Sequence, residues 1–283
     1  MTRIGVAAIQ VTVPLYEPET SRRRIAGAID AAAREGARLI VVPELAISGY
    51  GLQADGLAAS AEPLIGPTFE SWAALAAAHG GYIAGGFCER EGDRLYNSAM
   101  LVGPQGLIGH YRKLHLFDAE KHIFTPGDKG LPVHELPFGR IGLCVCYDLR
   151  FVEVVRALAL QGADLIAVPT AWVGGFDSIP RDSGGLITQA RGAAVQANLS
   201  QVFLACASQA GTAGVSRFLG SSLLVDPFGT VLAGPLGADE EATLRAEIDL
   251  ADAGRARVRS ALIRPREDRR TDVYGLAVGG HVL

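Results

Sequence analysis

The run Gly142-Leu143-Cys144-Val145-Cys146-Tyr147-Asp148-Leu149-Arg150-Phe151 passes from an apolar, strand-like stretch straight into a helix-like one, so Cys146 falls on a sharp strand-to-helix turn. A thiol placed there is exposed at the end of a sheet. It also lies near unpaired helix N–H groups, whose positive end of the dipole favours a thiolate and a developing oxyanion. This is the thiol counterpart of the nucleophile elbow of serine hydrolases. Cysteines at the end of buried strands also serve as inert apolar filler, and Cys144, inside the strand, keeps that plainer role. A thiol nucleophile needs a base and a group to hold the tetrahedral oxygen. Glu44 directly follows Val41-Val42-Pro43 at the carboxyl end of a buried strand, where α/β proteins place their ligands. Lys113 ends another strand in His110-Tyr111-Arg112-Lys113-Leu114-His115-Leu116. Taken singly, these two also read as an ordinary loop glutamate and a solvated basic turn. A metal hydrolase built on His110, His115, His122 and His134 is the rival chemistry, but these lie on loops without paired metal-ligand spacing.

The elements that must position these side chains alternate along the chain. Residues Ile4–Gln10 and Arg38–Pro43 are β-branched, nearly continuous apolar runs, as expected of strands buried on both faces. Between them a helix is predicted, capped by Thr20 or Ser21, with Ile25, Ile29 and Ala32 on one face and Gly36 as terminator. The alternation continues with a helix at Thr68–His79, a strand at Gly81–Phe87 and a hairpin of Asn97–Val102 with Leu107–Tyr111. Then come a strand Gly139–Cys146, a helix Val152–Leu160, a strand Ala163–Pro169, a helix Gly185–Asn198 and a strand Gln201–Ser208. Ser221–Val225, Thr230–Ala233 and Thr243–Ile248 read as a β-meander. With no repeat and no linker, residues 1–283 are expected to form one α/β domain. The loops Leu114–Leu131 and Ala171–Gly184, the latter with Gly174-Gly175 and Pro180, follow strands and are placed to carry chemistry.

Composition narrows the function classes. With 283 residues, 49% apolar and 7% aromatic, the chain can bury a large core of Ala, Val, Leu and Ile. Its net charge of -4 and the absence of a basic block beyond Arg22-Arg23-Arg24 argue against nucleic acid as a partner. No stretch of eighteen apolar residues occurs and the first residues read as a strand, so a soluble, cytoplasmic protein with no membrane partner is expected. Cys88, Cys144, Cys146 and Cys206 form no disulfide framework and are expected as reduced thiols.

Pro43-Glu44, Tyr111-Arg112-Lys113-Leu114-His115-Leu116 and Cys146-Tyr147-Asp148-Leu149-Arg150-Phe151, in this order and at these separations, resemble the three signatures of the nitrilase (carbon–nitrogen hydrolase) superfamily. Further landmarks extend the resemblance over nearly the whole chain: Gly66-Pro67, Phe124-Thr125-Pro126-Gly127, Pro169-Thr170-Ala171-Trp172, Asp226-Pro227-Phe228-Gly229 and Arg269-Arg270-Thr271-Asp272. The resemblance implies a four-layer αββα sandwich and a homodimer or higher homo-oligomer. It also implies Cys146 as nucleophile, Glu44 as general base, Lys113 stabilising the tetrahedral intermediate, and Glu120 orienting the lysine. No metal or cofactor is implied. The chain departs from the family pattern at Phe151-Val152-Glu153, which lacks the usual proline, and at Arg191-Gly192-Ala193-Ala194-Val195-Gln196-Ala197-Asn198, which matches the usual helix segment only loosely.

The elbow sequence is most similar to amidase-type branches, so a small carboxamide is the expected substrate. The alternatives within the family are an N-carbamoyl amide hydrolase and a nitrilase. A silent binding protein on the same scaffold is disfavoured by the presence of all four positions. Four residues are candidates for the substrate pocket. Tyr147 adjoins the nucleophile, Arg150 could pair bidentately with a substrate carboxylate or internally with Glu153 or Asp148, and Trp172 and Phe176 could wall an acyl pocket.

Overall fold

The computed structural model describes residues 3–174 and 181–283. Its main elements, in chain order, begin with β1 (Arg3–Gln10), α1 (Pro18–Arg34), β2 (Ala37–Val41), α2 (Ala54–Ser60) and α3 (Pro67–His79). They continue with β3 (Tyr82–Glu91), β4 (Arg94–Gly103), β5 (Gly106–Arg112), β6 (Val133–Leu136) and β7 (Gly139–Leu143). Next come α4 (Val152–Leu160), β8 (Leu165–Pro169), α5 (Thr188–Ser200), β9 (Phe203–Ala207), β10 (Leu223–Val225), β11 (Val231–Ala233), β12 (Ala242–Asp249) and α6 (Ala251–Arg257). Short 3-10 turns cover Asp118–His122 and Cys146–Arg150.

Two six-stranded mixed sheets result, in the orders β12-β1-β2-β3-β4-β5 and β11-β10-β9-β8-β7-β6. The period-2 alternation of their strands explains the stacking, because both faces are apolar. In β1, Val6 and Ala8 point into the core between the sheets while Ala7 and Ile9 face α1 and α3; in β2, Leu39 and Val41 point inward and Ile40 outward. The outer face of the second sheet is covered by α4 and α5, whose Val154, Val155, Leu158, Ala190, Ala193 and Ala197 join the inter-sheet cluster. The fold is thus a four-layer αββα sandwich. Among the described residues, no helix is long and apolar enough to cross a membrane.

Three expectations change. The last strand does not complete a meander: β10 and β11 pair as a hairpin, but β12 crosses to the other sheet and runs antiparallel to β1, with Ile4 opposite Ile248. Its alternation of half-buried and exposed residues fits an edge strand equally well in either sheet, so local pattern did not decide its partner. The first helix begins at Pro18 without a side-chain cap, the fixed φ of proline serving where Thr20 or Ser21 was expected. The strand before the elbow ends at Leu143, leaving Cys144 buried just beyond it.

The site lies where the carboxyl ends of the two sheets meet. The loop after β2 is tied to the second sheet by the Glu44 N–H donating to the Thr170 carbonyl at 3.2 Å. Gln209, just after β9, donates from Nε2 to the Glu44 carbonyl at 2.8 Å. Beneath this loop runs β3, and only glycine fits at position 86: a Cβ there would lie 2.6 Å from the Glu44 Cα.

Candidate active site

Cys146 sits at the first residue of the short turn after β7 with φ of +46°, a left-handed conformation that a non-glycine residue holds only when its surroundings impose it. Asp148 supplies that constraint. Its buried carboxylate accepts the Val145 N–H at 3.0 Å, the Tyr111 hydroxyl at 2.7 Å and the His115 N–H at 3.1 Å, closing the turn on both sides of the thiol. The elbow expected at Cys146 is therefore present, as a strained 3-10 turn that precedes α4.

Glu44, Lys113 and Glu120 are brought together in full burial. The Lys113 ammonium donates to Glu44 Oε1 at 2.7 Å and to Glu120 Oε1 at 2.8 Å. Glu120 reaches the site because its own turn folds back: its Oε2 accepts the Phe117 N–H at 3.0 Å, and its Oε1 also accepts the Tyr50 hydroxyl at 2.6 Å. Every oxygen of Glu120 is thus engaged. Glu44 differs. Its Oε1 accepts from Lys113 and, at 2.7 Å, from Asn97 Nδ2, while its Oε2 is buried with no hydrogen-bond partner.

The electrostatics follow from this burial. Burial pushes the Glu44 carboxyl up, the Lys113 ammonium pulls it down, and Glu120 pushes it up again, leaving it above its ordinary value. Lys113 is held well above its ordinary value, since the two carboxylates outweigh its desolvation. Burial, with the Glu44 charge, pushes the Cys146 thiol well above its ordinary value, against the opposing pull of Lys113. Desolvation and a facing carboxylate thus oppose the thiolate that the N–H groups of the turn favour, and the five-residue turn at the elbow offers little dipole.

A cavity of about 200 Å³ opens over the thiol, lined by Tyr50, Phe117, Cys146, Tyr147, Trp172 and Thr188 among others. Tyr147 is clamped edge-on between Phe117 and Phe151, with ring centroids at 5.0 and 5.3 Å. Trp172 is buried in the wall, and Arg150 lies at the exposed rim. The Asp148 carboxylate accepts from Tyr111, His115 and the Val145 N–H. Phe176, Gly175 and Pro180 lie outside the described residues. The histidines diverge: His110 bonds Glu89 and His115 bonds Asp148. Among the described residues no group of three His, Cys, Asp or Glu is placed to hold a metal.

The sequence profile of the carbon–nitrogen hydrolases matches residues 5–258. The chain belongs to the carbon–nitrogen hydrolase family. It is therefore a hydrolase acting on carbon–nitrogen bonds. Among similar proteins, a nitrilase of Pyrococcus abyssi is 36% identical over 87% of this chain and 90% of its own. The human ω-amidase is 31% identical over 98% of each chain. Among solved structures, a cysteine-to-alanine mutant of the nitrilase-superfamily amidase from Nesterenkonia superposes with a TM-score of 0.76 at 28% identity, covering 95% of both chains. Another structure of that amidase, TM-score 0.75 and 27% identical over 95% of both chains, carries the acetamide moiety of fluoroacetamide covalently at its active-site cysteine.

Sequence reasoning passed over Tyr50, Asn97, Phe117 and Thr188. Tyr50 lies six positions after Glu44 in the same loop, a signal that was available. Asn97 was assigned to a strand, and which face it presents depends on a register the hairpin alone did not fix. Thr188 comes from a helix on the second sheet, which only the tertiary fold brings near the thiol.

Proposed function

We propose that this carbon–nitrogen hydrolase is an amidase that converts a small carboxamide to a carboxylic acid and ammonia through a thioacyl-enzyme at Cys146. The observation that carries the reading is the asymmetry between the two glutamates: one buried carboxylate oxygen, Glu44 Oε2, has no partner, whereas both oxygens of Glu120 are engaged. Glu44 is thereby the base, and Glu120 holds Lys113 in place.

The steps balance as follows. Cys146 Sγ attacks the carbonyl carbon as its proton passes to Glu44, and the carbonyl oxygen becomes anionic near Lys113, whose third N–H is available beyond the two given to glutamates. Collapse of the intermediate breaks the C–N bond, with the proton on Glu44 going to the leaving nitrogen. Glu44 then takes a proton from water, the hydroxide attacks the thioester, and the thiol leaves reprotonated. A cavity of about 200 Å³ walled by Tyr147 and Trp172 suits a small acyl group. The Nesterenkonia amidase, with an acetamide moiety on its cysteine, is a relative whose chemistry fits this scheme.

Intact-mass spectrometry of wild type and Cys146→Ala, mixed briefly with carboxamides, N-carbamoyl amino acids and nitriles while ammonia is assayed, tests the proposal. The expected result is an acyl adduct on wild type alone, formed from carboxamides with release of ammonia. Ammonia release that survives Cys146→Ala would place the chemistry elsewhere. Turnover confined to ureido acids or nitriles would keep the nucleophile and replace the substrate class.

A further inference from the structure

A carboxylate that serves as base has two chemically equivalent oxygens, and rotation about its last torsion exchanges them. Here the exchange is blocked. Glu44 Oε1 receives two donors, the Lys113 ammonium and the Asn97 amide, each at 2.7 Å, and Oε2 receives none. Lys113 alone would not fix the choice, because an ammonium on a flexible stem can follow either oxygen. Asn97 can fix it. Its side chain is short, buried and carried on β4, which is paired on one side with β3 and on the other with β5, and it sits opposite Cys88 of β3. Its own carbonyl accepts the Lys113 N–H at 2.8 Å, so the same residue anchors the backbone of the lysine and the side chain of the glutamate.

We propose that Asn97 is a positioning residue for the hydrolysis: by occupying Glu44 Oε1 together with Lys113, it reserves Oε2 for the thiol proton. This inference rests on the reading of Glu44 as base. Asn97 also helps keep Glu44 ionised, since its N–H donates to the charged form and counters part of the effect of burial. The groups facing Glu44 from the surrounding elements are Lys113 at the end of β5, Glu120 on its 3-10 turn, Tyr50 in the loop after β2 and Cys146 at the elbow. Asn97 is the member of this ring that cannot titrate.

The amide is kept at a cost that stability does not explain. Its Oδ1 is buried without a partner, and an unpaired buried acceptor is destabilising. The amide cannot turn over to satisfy it, because that would point the oxygen at the Glu44 carboxylate. Leucine has the same branching at Cγ, though it is bulkier, and would remove the orphaned acceptor together with the donor.

The test compares Asn97→Leu and Asn97→Asp with wild type through kcat, KM, thermal midpoint and the pH dependence of kcat/KM. For Asn97→Leu we expect kcat to fall about 10- to 100-fold, the range for a hydrogen bond to a charged group. KM should change little, and the acid limb of the profile should move to higher pH. For Asn97→Asp the limb should move further in the same direction, because a second carboxylate then faces Glu44. Loss of turnover with the limb at its wild-type position in both variants would overturn the inference, as would an aspartate limb no higher than the leucine one. If the leucine variant does not fold, Asn97→Asp, which conserves volume, supplies the comparison with wild type. Glu44→Gln separates the two levels of the argument. Wild-type turnover in Glu44→Gln removes the base reading and this inference with it, whereas an inactive Glu44→Gln beside unmoved Asn97 profiles removes this inference alone.

Discussion

Replacing Glu44 by glutamine should make the Cys146 thiol easier to ionise and the enzyme far slower, two effects that separate a proton-accepting role from mere thiol activation. The variant is nearly isosteric, and its Oε1 can still accept from Lys113 and Asn97, which donate at 2.7 Å in the parent. What it loses is a negative charge facing the thiol and the unpartnered carboxylate oxygen Oε2. Because that charge is among the causes holding the thiol above its ordinary value, the pH at which thiolate forms should fall. General base catalysis typically contributes ~10²–10⁴-fold, and here the same oxygen serves both thiol attack and water attack. The expected loss in kcat therefore lies toward ~10⁴-fold, roughly 5 kcal/mol of barrier. Folding should suffer less. Breaking a buried pair outright costs about 3–5 kcal/mol, but Lys113 keeps Glu120 at 2.8 Å, so about 2 kcal/mol and a fall of roughly 4–8 °C in Tm are expected. Thiolate formation is read from ultraviolet absorbance against pH, with Cys146→Ala as blank, and turnover from ammonia release normalised to folded protein. A variant that turns over within about tenfold of wild type, or faster in step with its extra thiolate, would refute a base at Glu44.

Two further outcomes test the scaffold behind the site. Burial by itself would push Glu89 up, yet hydrogen bonds from His110, Arg112 and Ser98 hold it at about 2. A carboxylate depressed on folding contributes stability that is present above its unfolded value and lost as pH falls through its folded one, so up to about 3 kcal/mol should disappear between roughly pH 4.5 and 2. Glu89→Gln should flatten this acid dependence in urea melts while destabilising at neutral pH, because Arg112 stays buried; an unchanged acid slope would show that the carboxylate is not a source of it. Asp148→Asn should lower kcat by about tenfold or more and lower Tm, since an amide keeps one acceptor oxygen where the carboxylate uses both for Val145, Tyr111 and His115, and the +46° φ of Cys146 is no longer enforced. Unaltered kcat with a lowered Tm would make Asp148 a stability residue only.

The sequence was most legible where chemistry and local structure coincide. Three strand ends, after Val41, Arg112 and Leu143, lead within three residues to Glu44, Lys113 and Cys146, so their placement was legible from the chain, whereas their roles came only from the resemblance of the three segments taken together. Partner choice was less legible. The strand Ala242–Asp249 carries no information about which of two sheets it joins, because an edge strand buries one face either way. Least legible were Asn97 and Tyr50, polar residues whose roles depend on where a carboxylate from 53 or 70 positions away arrives. The ionisation of Cys146 could not be read either, since the turn suggested a dipole while burial, a tertiary quantity, sets the direction. Helix starts showed the same limit on a smaller scale, with Pro18 replacing the expected hydroxyl cap.

The buried cluster also explains why a protonated thiol suits this site better than a resting thiolate. Two buried carboxylates and one buried ammonium leave one net negative charge, and a thiolate beside them would add a second without a counterion of its own. In the proposed attack, the proton leaves sulfur for Glu44 as negative charge develops on the substrate oxygen. Glu44 becomes neutral at the moment the oxyanion forms, so the net charge of the cluster does not change. The charge simply moves from one neighbour of Lys113 to another. A site of low dielectric penalises a change in net charge more than its displacement over a short distance, and Lys113, held cationic by both glutamates, is the fixed centre about which the displacement occurs. On this argument Glu120 matters because it lets Lys113 remain charged when Glu44 is neutral: with Glu120 still bonded at 2.8 Å, the ammonium keeps one anionic partner while turning its attraction to the substrate.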